Sequence, residues 1–151
     1  APCYAAISVA PKQSVRALQS QHQNFLISAN NFVQLAGVVA LNECANDVAA
    51  MRNAYNKRRL HMIRRLESIG LKVQTMPAGA FYVLADARHI SNDSLALSKQ
   101  ILEESGVAVT AGIDFGEGAE GFLRFSYANS LEKIDRAIDL LAEMFRKKGW
   151  L

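Results

Sequence analysis

Arg124 is the residue with the clearest capacity for chemistry in this sequence. It stands between Leu123 and Phe125, in an apolar run that favours a β-strand. Charged side chains are rarely buried without a partner, so an arginine here indicates that an anion binds nearby. The planar guanidinium carries a fork of donors that fits a carboxylate through two parallel hydrogen bonds. Two alternatives are an ion pair with an internal Asp or Glu, and an exposed position on an edge strand.

The elements that position Arg124 are predicted from hydrophobic spacing and from turn residues. We expect helices over 12–23, 32–41, 47–69, 94–104 and from Ser130 to about Gly149. We expect strands over 5–10, 71–76, 80–84, 107–110 and 122–127. The strands over 71–76 and 80–84 are predicted to pair as a hairpin, and the glycines of the 111–120 loop to supply positive φ angles. The predicted fold class is α/β, or α+β, with a small sheet covered by helices.

Composition sets wide limits on function. Half of the residues are hydrophobic and 21% are charged, which is typical of a globular protein. The net charge of +3 is too small to indicate by itself that the protein binds nucleic acid. Cys3 and Cys44 have no metal-binding spacing and are predicted to be free thiols. No apolar stretch has membrane-spanning length, so we expect a soluble, cytoplasmic protein without a membrane partner. Because the chain starts at Ala1 and enters a predicted strand at once, a trimmed N-terminus or a fragment of a larger protein is expected.

A basic cluster on the long predicted helix is the second candidate site. Its members are Lys57, Arg58, Arg59, Arg64 and Arg65. Such residues bind phosphates in nucleic-acid modules. A solvated helix face is the favoured interpretation, because no stacking aromatic residues are interleaved with these charges.

Other sites are not supported by the sequence. The three histidines have no metal-ligand spacing, so no metal site is predicted. No G-x-S-x-G elbow for a nucleophilic serine is present, and no catalytic residue is predicted. The glycines of the 111–120 loop match neither phosphate-binding pattern, and its acidic residues would repel a phosphate. Phe25, Phe81 and Tyr82 are candidates for the lining of a pocket, although aromatic residues on strands more often fill a core.

Several blocks of sequence, taken in order, resemble one known family. The blocks include Ala10-Pro11-Lys12, Tyr55-x-x-Arg58-Arg59, Pro77-Ala78-Gly79-Ala80-Phe81-Tyr82-Val83, Gly106-Val107-Ala108-Val109, Phe115-Gly116 and Leu123-Arg124-Phe125-Ser126-Tyr127-Ala128. From about Ile7 to Met144, their order and spacing resemble the C-terminal part of the fold-type I, pyridoxal-phosphate-dependent aminotransferases of class I/II, which are aspartate-aminotransferase-like.

The resemblance implies a domain organisation and a role for Arg124. Residues 1–45 correspond to the end of the large cofactor-binding domain, 46–73 to a linking helix and 74–151 to the small C-terminal domain. In the family, the arginine that matches Arg124 grips the α-carboxylate of the amino acid or 2-oxo acid substrate. The resemblance further implies a homodimer and pyridoxal 5'-phosphate as the cofactor of the full-length parent.

Departures from the family pattern limit what this chain is expected to do alone. The Schiff-base lysine of the family lies upstream of the matched region, and Lys12 corresponds to a surface lysine. The phosphate-gripping Arg and its Gly would fall near Tyr4 and Ala6, where neither is present. We therefore expect a fragment of an aminotransferase that is inactive alone, and no cofactor-binding residue is assigned. The alternatives are a non-catalytic domain that binds an amino acid or carboxylate through Arg124 and, less favoured, a nucleic-acid module.

Overall fold

The computed structural model describes residues 9–26 and 28–151. The chain divides into two compact units, Ala1–Ala50 and Met51–Leu151. Within the described ranges, no helix has the length and apolar composition that would carry it across a bilayer. Apart from its last two residues, which are not in a strand, the segment over 5–10 lies outside the described residues.

The first unit is helical and exposes most of its apolar side chains. It contains α1 (Lys12–Phe25), α2 (Asn31–Glu43) and the start of α3 (Ala45–Ser68). The Asn30 side chain accepts a hydrogen bond of 3.2 Å from the Phe32 amide and so caps α2. Among the described residues of α1 and α2, only Val33 is buried. These two helices therefore contribute almost no core of their own.

The second unit packs helices against a small sheet. After the remainder of α3, it contains β1 (Tyr82–Asp86), α4 (Ser94–Ser105), β2 (Thr110–Ala111), β3 (Phe122–Ser126) and α5 (Leu131–Lys148). Two 3₁₀ turns lie at Gly112–Phe115 and Glu117–Ala119. The sheet order is β1-β3-β2 and both pairings are antiparallel. The fold class is thus the predicted one, with a small antiparallel sheet in a helix-rich chain.

Alternation along β3 decides which way Arg124 faces. Leu123 and Phe125 are buried in the core, whereas Arg124 is half-buried. Since successive side chains of a strand point to opposite faces, Arg124 lies on the sheet face away from the core. The core face is covered by buried residues of α3, α4 and α5, including Leu66, Ile101, Ile138, Leu141 and Phe145.

The predicted hairpin of 71–76 with 80–84 is mostly absent. The first segment is joined to β1 by one isolated antiparallel bridge, between Lys72 and Asp86, and β1 forms its ladder with β3. Two features separate the segments. The Arg59 guanidinium donates to the Pro77 carbonyl at 3.0 Å, which holds the turn beside α3. Ala80 has φ 58°, a left-handed conformation that no strand residue adopts, so β1 begins only after it.

The predicted strand over 107–110 is also largely wrong, since only Thr110–Ala111 pairs with β3. The strand predicted over 122–127 is confirmed as Phe122–Ser126. Both ends of α4 have typical capping geometry: the Asp93 side chain accepts from the Ala96 amide at 2.8 Å, and Gly106 ends the helix in a left-handed conformation.

Asp86 is expected to make the second unit sensitive to acid. Its carboxylate accepts hydrogen bonds from Arg88 at 2.6 and 2.9 Å and from Gln74 at 2.6 Å, and these contacts lower the pKa of Asp86 from 3.8 to about 2. Because the folded-state pKa is depressed, this contribution is complete above the unfolded value and is lost as the pH falls from about 4 to about 2.

We expect the free energy of unfolding of Asp86→Asn to fall less steeply with acid over that interval than that of the parent chain. Denaturant unfolding at several pH values measures both slopes. Equal slopes would contradict a role for this carboxylate.

Candidate carboxylate site at Arg124

Arg124 lies on the central strand of the sheet and is not neutralised from within. Across the two ladders its Cα partners are Leu84 of β1 and Thr110 of β2. A terminal guanidinium nitrogen donates to the Thr110 hydroxyl at 3.2 Å. In the described part of the chain, no Asp or Glu forms an ion pair with Arg124. Neither structural alternative, the internal ion pair or the edge strand, is therefore the arrangement found.

Two aromatic rings hold the guanidinium of Arg124. Its central carbon lies 4.1 Å from the Tyr82 ring centroid and 4.6 Å from that of Phe115. Both distances fall within the range of cation–π attraction. Guanidinium N–H groups point outward in the plane of the group, and among the described side chains the Thr110 hydroxyl is their hydrogen-bond acceptor. The arrangement can bind a carboxylate edge-on, in the two-pronged geometry expected from the sequence.

Tyr82 reaches Arg124 because of the strand register and the turn before it. Tyr82 pairs with Ser126, which places its side chain diagonally across from Arg124 on the same face. The Tyr127 hydroxyl donates to the Ala80 carbonyl at 3.1 Å and so fixes the turn that leads into β1. Burial raises the pKa of Tyr127, which keeps this hydroxyl protonated as a donor.

Phe115 reaches Arg124 because the loop after β2 is tied to α4. One oxygen of the Glu120 carboxylate accepts from the Ser94 amide at 2.7 Å and from the Gly121 amide at 2.8 Å. The Ser94 hydroxyl in turn accepts from the Ile113 amide at 3.1 Å. The Ser94 and Gly121 amides lower the pKa of Glu120, so the carboxylate is charged at neutral pH.

Gly112 is required in this loop for space and not for positive φ. A Cβ at Gly112 would lie 1.9 Å from the Ala119 carbonyl oxygen and 2.7 Å from that of Phe122. The expected positive φ is found at Gly116 and at Gly121, just after the loop. Close backbone packing at Gly112 therefore holds the loop that carries Phe115 and Gly116.

The basic cluster of α3 is divided among several partners. Arg59 donates to Asn56 and to the Pro77 carbonyl, and the Arg58 guanidinium lies 5.5 Å from the Tyr55 ring centroid. Arg65 pairs with Asp135, at 2.9 Å, and with Asp139 of α5. Arg59 thus ties α3 to the turn at Pro77, and Arg65 ties it to α5. These two members of the basic cluster have a structural role.

Metal ligation has no candidate group, since no set of three His, Cys, Asp or Glu is gathered within the described ranges. Cys44 is a free thiol, whereas Cys3 lies outside the described residues. Phe25, a candidate pocket residue from the sequence, is 83% exposed.

Thr110 and Phe115 are neighbours of Arg124 that the sequence does not predict. Only the family resemblance points to the block containing Phe115, because a contact from a loop has no periodic signal.

Comparison with known proteins identifies the family. The model of "Aminotransferase class I and II" matches residues 4–141. An aspartate aminotransferase of Pyrococcus horikoshii is 37% identical over 134 residues, which are 87% of this chain and 34% of the relative. A probable N-acetyl-LL-diaminopimelate aminotransferase of Bacillus subtilis is 32% identical over 92% of this chain and 35% of the relative.

Solved structures agree with the sequence comparison. An aromatic aminotransferase from Pyrococcus horikoshii superposes with a TM-score of 0.88 at 29% identity, over 94% of this chain and 38% of that protein. A Thermus thermophilus aspartate aminotransferase with maleate superposes with a TM-score of 0.79 at 36% identity, over 88% of this chain and 35% of that protein. The chain thus spans about a third of the length of the relatives that it matches. This chain belongs to the class I and II aminotransferase family.

Proposed function

We propose that this chain is the C-terminal part of an aminotransferase that moves an amino group between an amino acid and a 2-oxo acid. Residues 1–45 are the end of the large domain, 46–73 the linking helix and 74–151 the small domain. Arg124 binds the substrate α-carboxylate. The observation that carries the proposal is the Arg124 guanidinium itself, which two aromatic rings hold on the central strand without an acidic partner in the described chain.

The exposed apolar side chains of the first unit support a larger parent. On α2, Phe32, Leu35, Val38 and Leu41 are each at least 55% exposed. A helix with apolar residues on all sides is typical of a protein interior. We propose that the remainder of the large domain covers this helix in the parent. The parent is further proposed to be a homodimer, as the family resemblance implies, and to lie in the cytoplasm, where a free thiol such as that of Cys44 is typical.

The cofactor implied for the parent is pyridoxal 5'-phosphate, which supplies an electron sink for chemistry at the α-carbon. The described surroundings of Arg124 do not fit that group. Its contacts are Thr110, Tyr82 and Phe115, and they provide neither an amine for covalent attachment nor a carboxylate for the ring nitrogen. The chain's own contribution is to bind and orient the carboxylate, which lowers the entropic cost of reaction without supplying a reacting group.

The chain alone is expected to lack transaminase activity. Incubation of the 151-residue chain with pyridoxal phosphate, an amino acid and a 2-oxo acid should release new 2-oxo acid no faster than the protein-free mixture. A full-length class I/II aminotransferase in the same assay serves as the positive control. Steady, enzyme-dependent release by the isolated chain would overturn the proposal that the chemistry depends on upstream residues.

A non-catalytic domain that senses free amino acids is the second candidate. Its support is that the contacts of Arg124 are complete within this chain. The geometry favours this candidate less. An amino acid also carries an ammonium group, and none of the three residues in contact with Arg124 offers a carboxylate that would bind it. A sensor should prefer an amino acid to the matching 2-oxo acid in calorimetry, whereas a carboxylate clamp alone should bind the two alike.

A further inference from the structure

The ladder between β2 and β3 stops early and leaves a cavity. Thr110 pairs with Arg124 and Ala111 with Leu123, so the same register continued would place Ala108 opposite Ser126 and Gly106 opposite Ala128. In the described structure, no backbone hydrogen bond joins these two segments. The segments diverge instead, and a cavity of about 370 Å³ is lined by Gly106–Ala108 on one side and by Ser126 and Ala128 on the other.

Local hydrogen bonds lie on both sides of the opening. The Val107 amide donates to the Ser105 hydroxyl at 3.3 Å, and the Ala128 amide donates to the Ser126 hydroxyl at 3.3 Å. Because the Tyr127 amide donates to the Phe81 carbonyl, alternation along the strand turns the Ala128 amide toward the 106–108 segment. That donor is therefore satisfied within its own segment, where the strand predicted over 107–110 does not pair.

The floor of the cavity is apolar and firmly packed. Phe125 of β3 and Ile134, Ile138 and Leu141 of α5 line it, and each is at most 5% exposed. These residues belong to the main core, so the walls are held in place by the rest of the second unit. Apolar pockets of about 300–1,000 Å³ are typical of small-molecule sites.

The rim of the cavity is cationic. Lys133 and Arg136 of α5 line it together with Asn129, and the described lining contains no Asp or Glu. Neither cation forms an ion pair with a described acidic residue. Asp135, which lies between them in sequence, is engaged by His61 at 2.7 Å and by Arg65 at 2.9 Å. Two cations over an apolar floor are complementary to a ligand with an apolar body and an anionic head.

We propose that this cavity, between α5 and the diverging ends of β2 and β3, binds a small amphipathic carboxylate. The apolar body lies on Phe125 and the α5 side chains, and the carboxylate lies between Lys133 and Arg136. This site is separate from Arg124, which does not line the cavity. It stands independently of the proposed transaminase function.

The proposal is tested by titrating the full chain with 3-phenylpropanoate in the Arg124→Gln background, which removes the other carboxylate site. Amide NMR shifts are expected at Val107, Ala108 and Asn129, and the neutral 3-phenylpropanamide should bind at least about tenfold more weakly. Replacing both cations, with Lys133→Gln and Arg136→Gln together, should weaken binding by at least about tenfold.

Two further variants separate loss of the site from loss of the fold. Ala137→Leu places extra volume in the cavity and should reduce binding while both cations remain. Lys99→Gln removes an exposed lysine of α4 outside the lining and should leave binding unchanged. The proposal is overturned if the acid and the amide bind equally, if the double variant binds like its parent, or if no shifts arise around the cavity at saturating ligand.

Discussion

Gly112→Ala is expected to lower the free energy of unfolding of the second unit by about 3 kcal/mol, the upper end of the usual range for overpacking. The new methyl group would lie 1.9 Å from the Ala119 carbonyl oxygen and 2.7 Å from that of Phe122. Both obstacles are backbone atoms, so relief requires the whole loop to move. Because the same loop carries Phe115, we also expect the ring to leave the Arg124 guanidinium. Denaturant unfolding measures the first effect, and the NMR signals of the guanidinium report the second.

Gly118→Ala is the matched control for this prediction. Gly118 lies in the same loop, its φ is not positive, and a Cβ there would have no neighbour within 4 Å. We expect its free energy of unfolding to change by no more than about 0.5 kcal/mol. If both substitutions have the same effect, close packing at Gly112 does not hold the loop, and the placement of Phe115 needs another explanation.

Arg124→Gln is expected to weaken the binding of a 2-oxo acid to this chain by about 10- to 150-fold. Hydrogen bonds to a charged group are typically worth about 1.5–3 kcal/mol, which corresponds to that range. Arg124→Lys should recover only part of the loss, since an ammonium keeps the charge but not the two-pronged geometry. Isothermal calorimetry at constant ionic strength measures all three affinities.

Arg88→Gln provides a control with closely matched chemistry. The Arg88 guanidinium also lies over an aromatic ring, 4.9 Å from the Phe122 centroid, but it is paired with Asp86 at 2.6 Å. Because that donor fork is already occupied, its removal should leave 2-oxo acid affinity unchanged. Equal losses for Arg88→Gln and Arg124→Gln would indicate a general effect of positive charge, and the specific site would be ruled out.

Much of the site's framework is accessible from sequence because it depends on local rules. The apolar flanks of Arg124 predict a strand, and alternation along that strand fixes the face on which the guanidinium lies. Asn30, Asp93 and Gly106 mark helix ends through capping geometry that depends only on near neighbours. These features require no knowledge of which distant segments meet.

The features that sequence reasoning missed depend on tertiary contacts. Val107–Thr110 has the composition of a strand, yet it pairs with β3 only at its last residue, and the Ala128 amide that would continue the ladder donates to the Ser126 hydroxyl. Ala80 adopts φ 58°, which an alanine gives no reason to expect. Its carbonyl is held by Tyr127, 47 residues away. The need for glycine at position 112 likewise arises from carbonyl oxygens that only the folded loop brings close.

Arg124 is expected to receive a carboxylate, and the NMR signal of its own side-chain Nε–H group measures this binding directly. Titration of the chain with a 2-oxo acid should shift this signal in a saturable way, while the corresponding neutral amide leaves it unmoved. Phe115→Leu should weaken the response, since the ring lies 4.6 Å from the guanidinium carbon. If the Arg124 signal stays constant at saturating acid, or moves equally with the amide, the guanidinium is not a carboxylate site and the account fails.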